Sequence, residues 1–295
     1  MNNLIFRGAA VAVITPFTED GVNFDELGRI IDDQIANSTD AIVITGTTGE
    51  SSTMTDEEHR AAIKYAVDKV AKRVPVIAGT GSNETSYAIE LSKYAESAGA
   101  DGLLLVTPYY NKCTQAGLIA HYTAIADAVN IPIVLYDVPS RTGCAIQVPT
   151  YAKLAEHKNI VAVKEANGDL SFIARLKKAV GDKLAIYSGN DDQIVPILSL
   201  GGQGVISVLS NVAPKMTHDI CQLYFDGKAK EAGELQVDLI DLIDALFCEV
   251  NPIPVKAAMR MLGYNAGPLR LPLTEPDEAH KKQIEKALRN HGLIK

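Results

Sequence analysis

The stretch "NIVAVKEANGDL", Asn159 to Leu170, sets four apolar residues, Ile160 to Val163, directly before Lys164. A run of this kind with no polar alternation reads as a strand covered on both faces, as in a parallel sheet. Lysine is among the residues least often fully buried. Its position at the end of such a strand therefore needs a reason.

Working outward, seven more runs share the pattern: "AVAVITPF" (10–17), "DAIVITGTTGE" (40–50), "VPVIAGTG" (74–81), "DGLLLVTPYY" (101–110), "IPIVLYDVP" (131–139), "LAIYSGN" (184–190) and "GVISVLSN" (204–211). They recur roughly every 25–35 residues, the size of a strand–helix unit. The segments between them have helical spacing. Residues 84–98 carry Tyr87, Ile89, Leu91, Tyr94, Ala95 and Ala98, and residues 55–71 open on a Thr55/Glu58 capping box. Ser82 or Asn83 in "GTGSN" is expected to cap the helix over 84–98. Eight such units over about 225 residues predict an α/β fold, a (β/α)8 TIM barrel. An open doubly wound sheet is the rival, and it usually has fewer strands.

After about residue 226 the strand pattern stops. "AKEAGELQVDLIDLIDALFCEV" places Leu235, Leu239, Leu242, Ile243 and Leu246 at helical spacing. "NPIPVKAAMRML" predicts a helix beginning after its prolines and ending near Gly263, and "PDEAHKKQIEKALRN" predicts a last one. The expected organisation is a catalytic barrel over 1–226 and a C-terminal helical domain over 227–295.

The bulk composition narrows the function. Of 295 residues, 47% are hydrophobic and 22% charged, ordinary for a globular protein, and the net charge of −8 argues against nucleic acid or an anionic membrane as partner. The four cysteines (113, 144, 221, 248) form no CxxC, and the six histidines (59, 121, 157, 218, 280, 291) show no metal-ligand spacing, so neither a disulfide framework nor a metal is expected. The N-terminal "MNNLIFRGAAVAVITPF" is interrupted too soon for a leader peptide. No run approaches the ~18 apolar residues of a membrane span. The expectation is a cytoplasmic protein with reduced thiols.

In a barrel the active site lies where the strands end. There the sequence places "GTTGES" (46–51), "TPYYNK" (107–112), Tyr136 with "DVPSRTG", Lys164, and "SGNDD" (188–192). Lys164 has two readings. Its stem can snorkel to water, or burial can lower its pKa and leave a neutral amine able to form a Schiff base. Ile160, Ala162 and Lys164 share one face of the strand, but parity does not say which face is inward. Tyr136, one strand earlier, is either a proton shuttle or a satisfied core phenol. "GTTGES" offers backbone amides and two hydroxyls to an anion, or is an ordinary turn. The phenols of "PYY" read as loop or subunit packing. Arg141 reads as the sole cation in a polar loop at this rim, suited to a substrate carboxylate.

Taken together, "GTTGES", "VTPYYNK", "YDVPSRTG", "VKEANGDL", "SGNDD" and "GVISV", in this order and with "NPIPVK" in the tail, resemble the pyruvate-dependent class I aldolases, the N-acetylneuraminate lyase family of (β/α)8 barrels. The resemblance covers nearly the whole chain. It implies that Lys164 forms an imine with pyruvate, that Thr47 and Thr48 hold the pyruvate carboxylate, and that Tyr136 moves protons through Thr47 to Tyr110 of a neighbouring subunit. Gly189 and Ile206 would meet pyruvate through their carbonyls, and Arg141 would grip the carboxylate of aspartate semialdehyde. Relatives such as the N-acetylneuraminate lyases usually lack that arginine. The implied reaction is the first committed step of the diaminopimelate route to lysine, with no cofactor, in a homo-oligomer, a tetramer built as a dimer of dimers. A non-catalytic keto-acid sensor on the same fold is the alternative of another class.

The resemblance also places an inhibitory lysine site at Ser51, Ser52, Asp56, His59, Asn83, Tyr87 and Tyr109. Feedback-sensitive members commonly carry a histidine at the first of two changed positions, Asp56, and an acid at the second, Tyr87. Weak or absent inhibition by lysine is expected. Asp137 stands where the family often has asparagine.

Overall fold

The computed structural model describes residues 4–295. The reading of the N-terminus rests in part on residues 1–3, which lie outside the described residues. Eight parallel strands close into a barrel: β1 (Gly8–Ala12), β2 (Ala41–Ile44), β3 (Val76–Gly79), β4 (Gly102–Val106), β5 (Ile133–Asp137), β6 (Ile160–Glu165), β7 (Ala185–Ser188) and β8 (Gly204–Ser207). β1 pairs with both β2 and β8, which closes the ring and excludes the open sheet.

Two apolar clusters divide the strands by parity. Ala10, Ala12, Val43, Ile77, Leu104, Val134, Tyr136, Ala162, Tyr187 and Ile206 fill the interior. Val11, Ile42, Ile44, Leu103, Leu105, Leu135, Val163 and Ile186 face outward onto helices carrying Leu27, Ile31, Ile63, Leu91 and Leu118. This split settles the orientation of β6: Ala162 points inward, so Lys164 does too. Phe6 closes the lower end, stacked on Tyr187 at 4.2 Å between centroids.

Several local expectations change. The first run yields a strand only over Gly8–Ala12. Pro16 lacks an amide donor, and the chain turns instead into a short hairpin, Phe17–Thr18 with Gly21–Val22. The capping box at Thr55 and Glu58 is present. The helix Thr85–Ala98 is capped by Glu84, whose carboxylate accepts from the Ser86 and Tyr87 amides. Neither expected residue serves, because Ser82 Oγ accepts from the Glu84 amide and Asn83 Nδ2 is directed to the Tyr109 carbonyl.

Beyond the helix Pro214–Phe225, the tail forms four more: Ala229–Asp238, Ile240–Leu246, Ile253–Met261 and Glu278–Asn290. The long periodic segment is thus two helices that break at Leu239. Pro254 sits inside the first turn of its helix, where its missing amide costs nothing, so that helix starts ahead of the expected position. No helix among the described residues is long and apolar enough to cross a membrane.

Candidate active site

Lys164 ends β6 inside the barrel with 5% of its surface exposed. Its backbone is in register with Tyr136 on one side and Tyr187 on the other. Its Nζ lies 4.4 Å from the centroid of the Tyr136 ring. Burial brings its pKa down from 10.5 to about 8; the Asp191 carboxylate opposes this and the Arg141 charge adds to it. Asp191 acts only from a distance and forms no ion pair with Lys164. Its Oδ2 accepts from the Val208 and Leu209 amides at 3.0 and 2.9 Å, while Oδ1 is buried without a partner. The result is an amine that is easily neutral near pH 8. Burial raises the Tyr136 phenol, opposed by the Arg141 charge and the Thr47 hydroxyl.

The "GTTGES" turn follows β2. The Gly49 and Glu50 amides close it onto the Gly46 and Thr47 carbonyls at 3.0 and 3.1 Å. That removes two of the amides expected to be free; those of Thr47 and Thr48 find no protein acceptor among the described residues. Glu50 adopts φ +56° and turns its carboxylate inward to Lys256 of the tail, 2.7 Å away, with both side chains at 0% exposure. Thr48 Oγ1 accepts from Asn251 Nδ2 at 3.0 Å. Two tail residues thus hold the loop that presents Thr47.

Arg141 is exposed in the short helix Pro139–Thr142, and its Nη2 donates to the Asn251 carbonyl at 2.9 Å. It is not the sole cation of this rim. The Lys112 side chain reaches the same loop, with Cε 3.1 Å from where a side chain on Gly143 would begin. Gly189, after β7, is required as glycine because a Cβ would come 2.6 Å from that of Ala166. Ile206 is fully buried inside the barrel on β8. Tyr110 is not brought to this group. It is 91% exposed on its loop, with φ +69°.

A cavity of about 420 Å³ opens beside the rim and joins Thr47 and Arg141 to Ser51, Ser52, His59, Tyr87 and Tyr109. The chain is matched over residues 5–291 by the model of the dihydrodipicolinate synthetase family. It belongs to that family. A 4-hydroxy-tetrahydrodipicolinate synthase from Clostridium perfringens is 57% identical over 291 residues, 99% of this chain and 100% of the relative. A solved dihydrodipicolinate synthase superposes with TM-score 0.96 at 49% identity, over 98% of this chain and 100% of that one. A chloride-inhibited dihydrodipicolinate synthase from Acinetobacter baumannii, solved in complex with pyruvate, gives TM-score 0.95 at 44% identity, over 99% and 100% of the two chains.

Several polar groups around the cavity of this dihydrodipicolinate synthetase family member are already paired. Tyr87 Oη donates to Asp56 Oδ1 at 2.8 Å, and Asp56 Oδ2 is paired with Arg60 at 2.6 Å. The one carboxylate of this group is therefore already neutralised. His59 Nε2 is 2.8 Å from the Gly79 carbonyl, and burial lowers its pKa, so it is a neutral donor there. Behind Tyr136 and Lys164, Asp137 and Glu165 are buried side by side in register. Ile146 N donates to Asp137 Oδ2 and Tyr151 Oη to Glu165 Oε2, both at 3.0 Å, while Asp137 Oδ1 has no partner. Burial raises both acids.

Sequence reasoning missed Asn251, Lys256 and Glu50. All three lie in quoted motifs, but only the fold brings the tail to the "GTTGES" turn. The described residues gather one group with metal-ligand character, Glu249, Asp277 and His280. Its atoms are engaged in a 2.7 Å bond between Glu249 Oε1 and His280 Nδ1 and in the Asp277 cap of the last helix.

Proposed function

We propose that this chain condenses pyruvate with aspartate semialdehyde to 4-hydroxy-tetrahydrodipicolinate through an imine on Lys164, the first committed step of the diaminopimelate route to lysine. The observation that carries the reading is the Lys164 amine, buried without a counter-ion 4.4 Å from the Tyr136 ring at the catalytic end of the barrel. A neutral amine attacks the ketone of pyruvate, and loss of water leaves the imine. The pyruvate carboxylate takes the Thr47 and Thr48 amides and hydroxyls, with backbone carbonyls of Gly189 and Ile206 completing the pocket. The protonated imine accepts electrons as a methyl proton leaves, so no metal or organic cofactor is called for. The enamine carbon then attacks the aldehyde. The amino group of the second substrate closes the ring and displaces Lys164.

Tyr136, with Thr47, carries protons in and out during imine formation and breakdown. Tyr110 completes the relay only when donated by a second copy, since in a single chain its side chain is 91% exposed. We accordingly read the enzyme as a cytoplasmic homo-oligomer, a tetramer built as a dimer of dimers. The barrel over 1–226 carries the chemistry, and the helical domain over 227–295 braces the rim through Asn251 and Lys256. Ser51, Ser52, His59, Tyr87 and Tyr109 line the part of the cavity away from Thr47 and Arg141, with Asn83 behind Tyr109, and this part has little affinity for lysine.

Arg141 sets the choice of aldehyde, by pairing with the carboxylate of aspartate semialdehyde. A lost charge-assisted contact costs about 1.5–3 kcal/mol. Arg141→Ala is therefore expected to lower kcat/KM for aspartate semialdehyde roughly ten- to a hundredfold, while pyruvate binding holds. Unchanged kinetics in that variant would remove the substrate assignment.

A further inference from the structure

Cys113 and Cys144 are far apart in sequence, in the rim loops that follow β4 and β5. Contacts on either side of them align the two loops. Lys112 approaches Gly143, with Cε 3.1 Å from the Cβ position there. Gln115 Nε2 donates to the Ala145 carbonyl at 2.8 Å, and its Oε1 accepts from the Gln147 amide at 3.0 Å. Position 113 therefore faces position 144 between these contacts, and each cysteine is the other's neighbouring thiol. Cys144 is buried and Cys113 partly exposed, so Cys113 is the thiol that an oxidant meets first. The same loops carry Tyr110, three residues before Cys113, and Arg141, three residues before Cys144.

We propose that Cys113 and Cys144 form a dithiol switch, in which two-electron oxidation joins them in a disulfide that ties the Tyr110 loop to the Arg141 loop and slows turnover. With hydrogen peroxide as oxidant, the Cys113 sulfur attacks one peroxide oxygen and the O–O bond breaks. This gives a sulfenic acid and one water. The Cys144 sulfur then attacks the sulfenic sulfur, and the displaced hydroxyl leaves with the Cys144 proton as a second water. Two S–H bonds and one O–O bond are lost, one S–S bond forms, and peroxide is reduced to two waters. A bond of about 2.05 Å fixes the two Cβ atoms about 3.8 Å apart, so loops that hold them about 5 Å apart must shift by about 1 Å. A displacement of that size near a reacting centre can cost about a hundredfold in rate.

Burial and the neighbouring thiol push Cys113 up to about 11. Its thiolate is scarce at neutral pH, so closure is slow there and becomes faster as pH rises. Cys221 is fully buried against the outer core and has no thiol partner.

The effect on turnover rests on the aldolase reading above; the cross-link does not. The test treats the native chain with hydrogen peroxide, then maps peptides without reduction and assays the condensation. The expected product is lighter by two hydrogens, joins the Cys113 and Cys144 peptides, and turns over roughly ten- to a hundredfold more slowly until dithiothreitol restores it. Cys113→Ser keeps the starting activity and resists the loss; Cys144→Ser is the second variant should the first not fold. Over-oxidised Cys113 with no linked peptide overturns the proposal, and so does a linked chain with unchanged turnover. An untreated chain without condensation activity sinks the aldolase reading instead, and the peptide map still decides the cross-link.

Discussion

Lys164 and Lys256 are both withdrawn from water, at 5% and 0% exposure, and burial lowers the pKa of each. What differs is the opposition. Lys256 Nζ donates to Glu50 Oε1 and to the Pro268 carbonyl, both at 2.7 Å, and lies 4.7 Å from the centre of the Phe17 ring. Its charge is matched. Lys164 has a phenol face and a remote carboxylate, and its pKa falls to about 8. Burial alone therefore does not make a nucleophile; burial without a partner does. On the proposed reading, the same feature gives chemistry on a strand end and architecture on a tail helix.

The comparison breaks most visibly if both lysines behave alike on substitution. Lys164→Ala is expected to cut turnover by about 10⁴-fold or more, the upper range for a single catalytic group, with the melting temperature held or raised. For the wild type, single-turnover imine formation should climb with pH and level off above about 8, as the amine loses its proton. Lys256→Met should do the reverse of Lys164→Ala. It strands a buried Glu50 carboxylate and is expected to destabilise the fold by about 3–5 kcal/mol in chemical denaturation. Glu50→Gln combined with Lys256→Met should recover a large part of that loss; a double variant as weak as the single one would show that the pair is not the cause.

A second buried arrangement sharpens the point with acids. Burial raises Asp137 from 3.8 to about 7 and Glu165 from 4.5 to about 8. The folded pair keeps protons that the unfolded chain has already released. Its contribution to stability is thus full below about pH 4 and is lost as pH rises toward about 8. Asp137→Asn removes one of the two acids. It should flatten that slope and stabilise the protein at pH 8 on the order of 1–3 kcal/mol. Parallel stability–pH curves for variant and wild type would refute the assignment. The smallest expected effect is that of added lysine, because Asp56 is already held by Arg60 and Tyr87. An inhibition constant in the micromolar range would contradict it.

The parts of this protein that repeat were legible in its sequence. Eight apolar runs gave the barrel because a parallel strand covered on both faces leaves a continuous trace of Val, Ile and Leu. Lys164 was legible as an interruption of such a trace. Its inward direction was not, since parity needs the opposite walls: Ala162 and Tyr136 in one cluster, Val163 and Leu135 in the other. Asn251 and Lys256 were hidden because their partners Thr48 and Glu50 lie more than 200 residues away. Long-range polar pairing leaves no local pattern. The expectation of a cap at Ser82 or Asn83 failed for a related reason, as Asn83 is directed to the Tyr109 carbonyl on another loop and Glu84 caps the helix instead. The relay role proposed for Tyr110 needs a second copy, which neither one sequence nor one chain supplies.

The most direct test of the account is reductive trapping. The native chain is incubated with pyruvate and borohydride, digested, and both lysine-bearing peptides are weighed. The account predicts a reduced pyruvate adduct on the Lys164 peptide and none on the Lys256 peptide. A folded chain that leaves Lys164 unmodified, or that traps pyruvate equally on both, would contradict it.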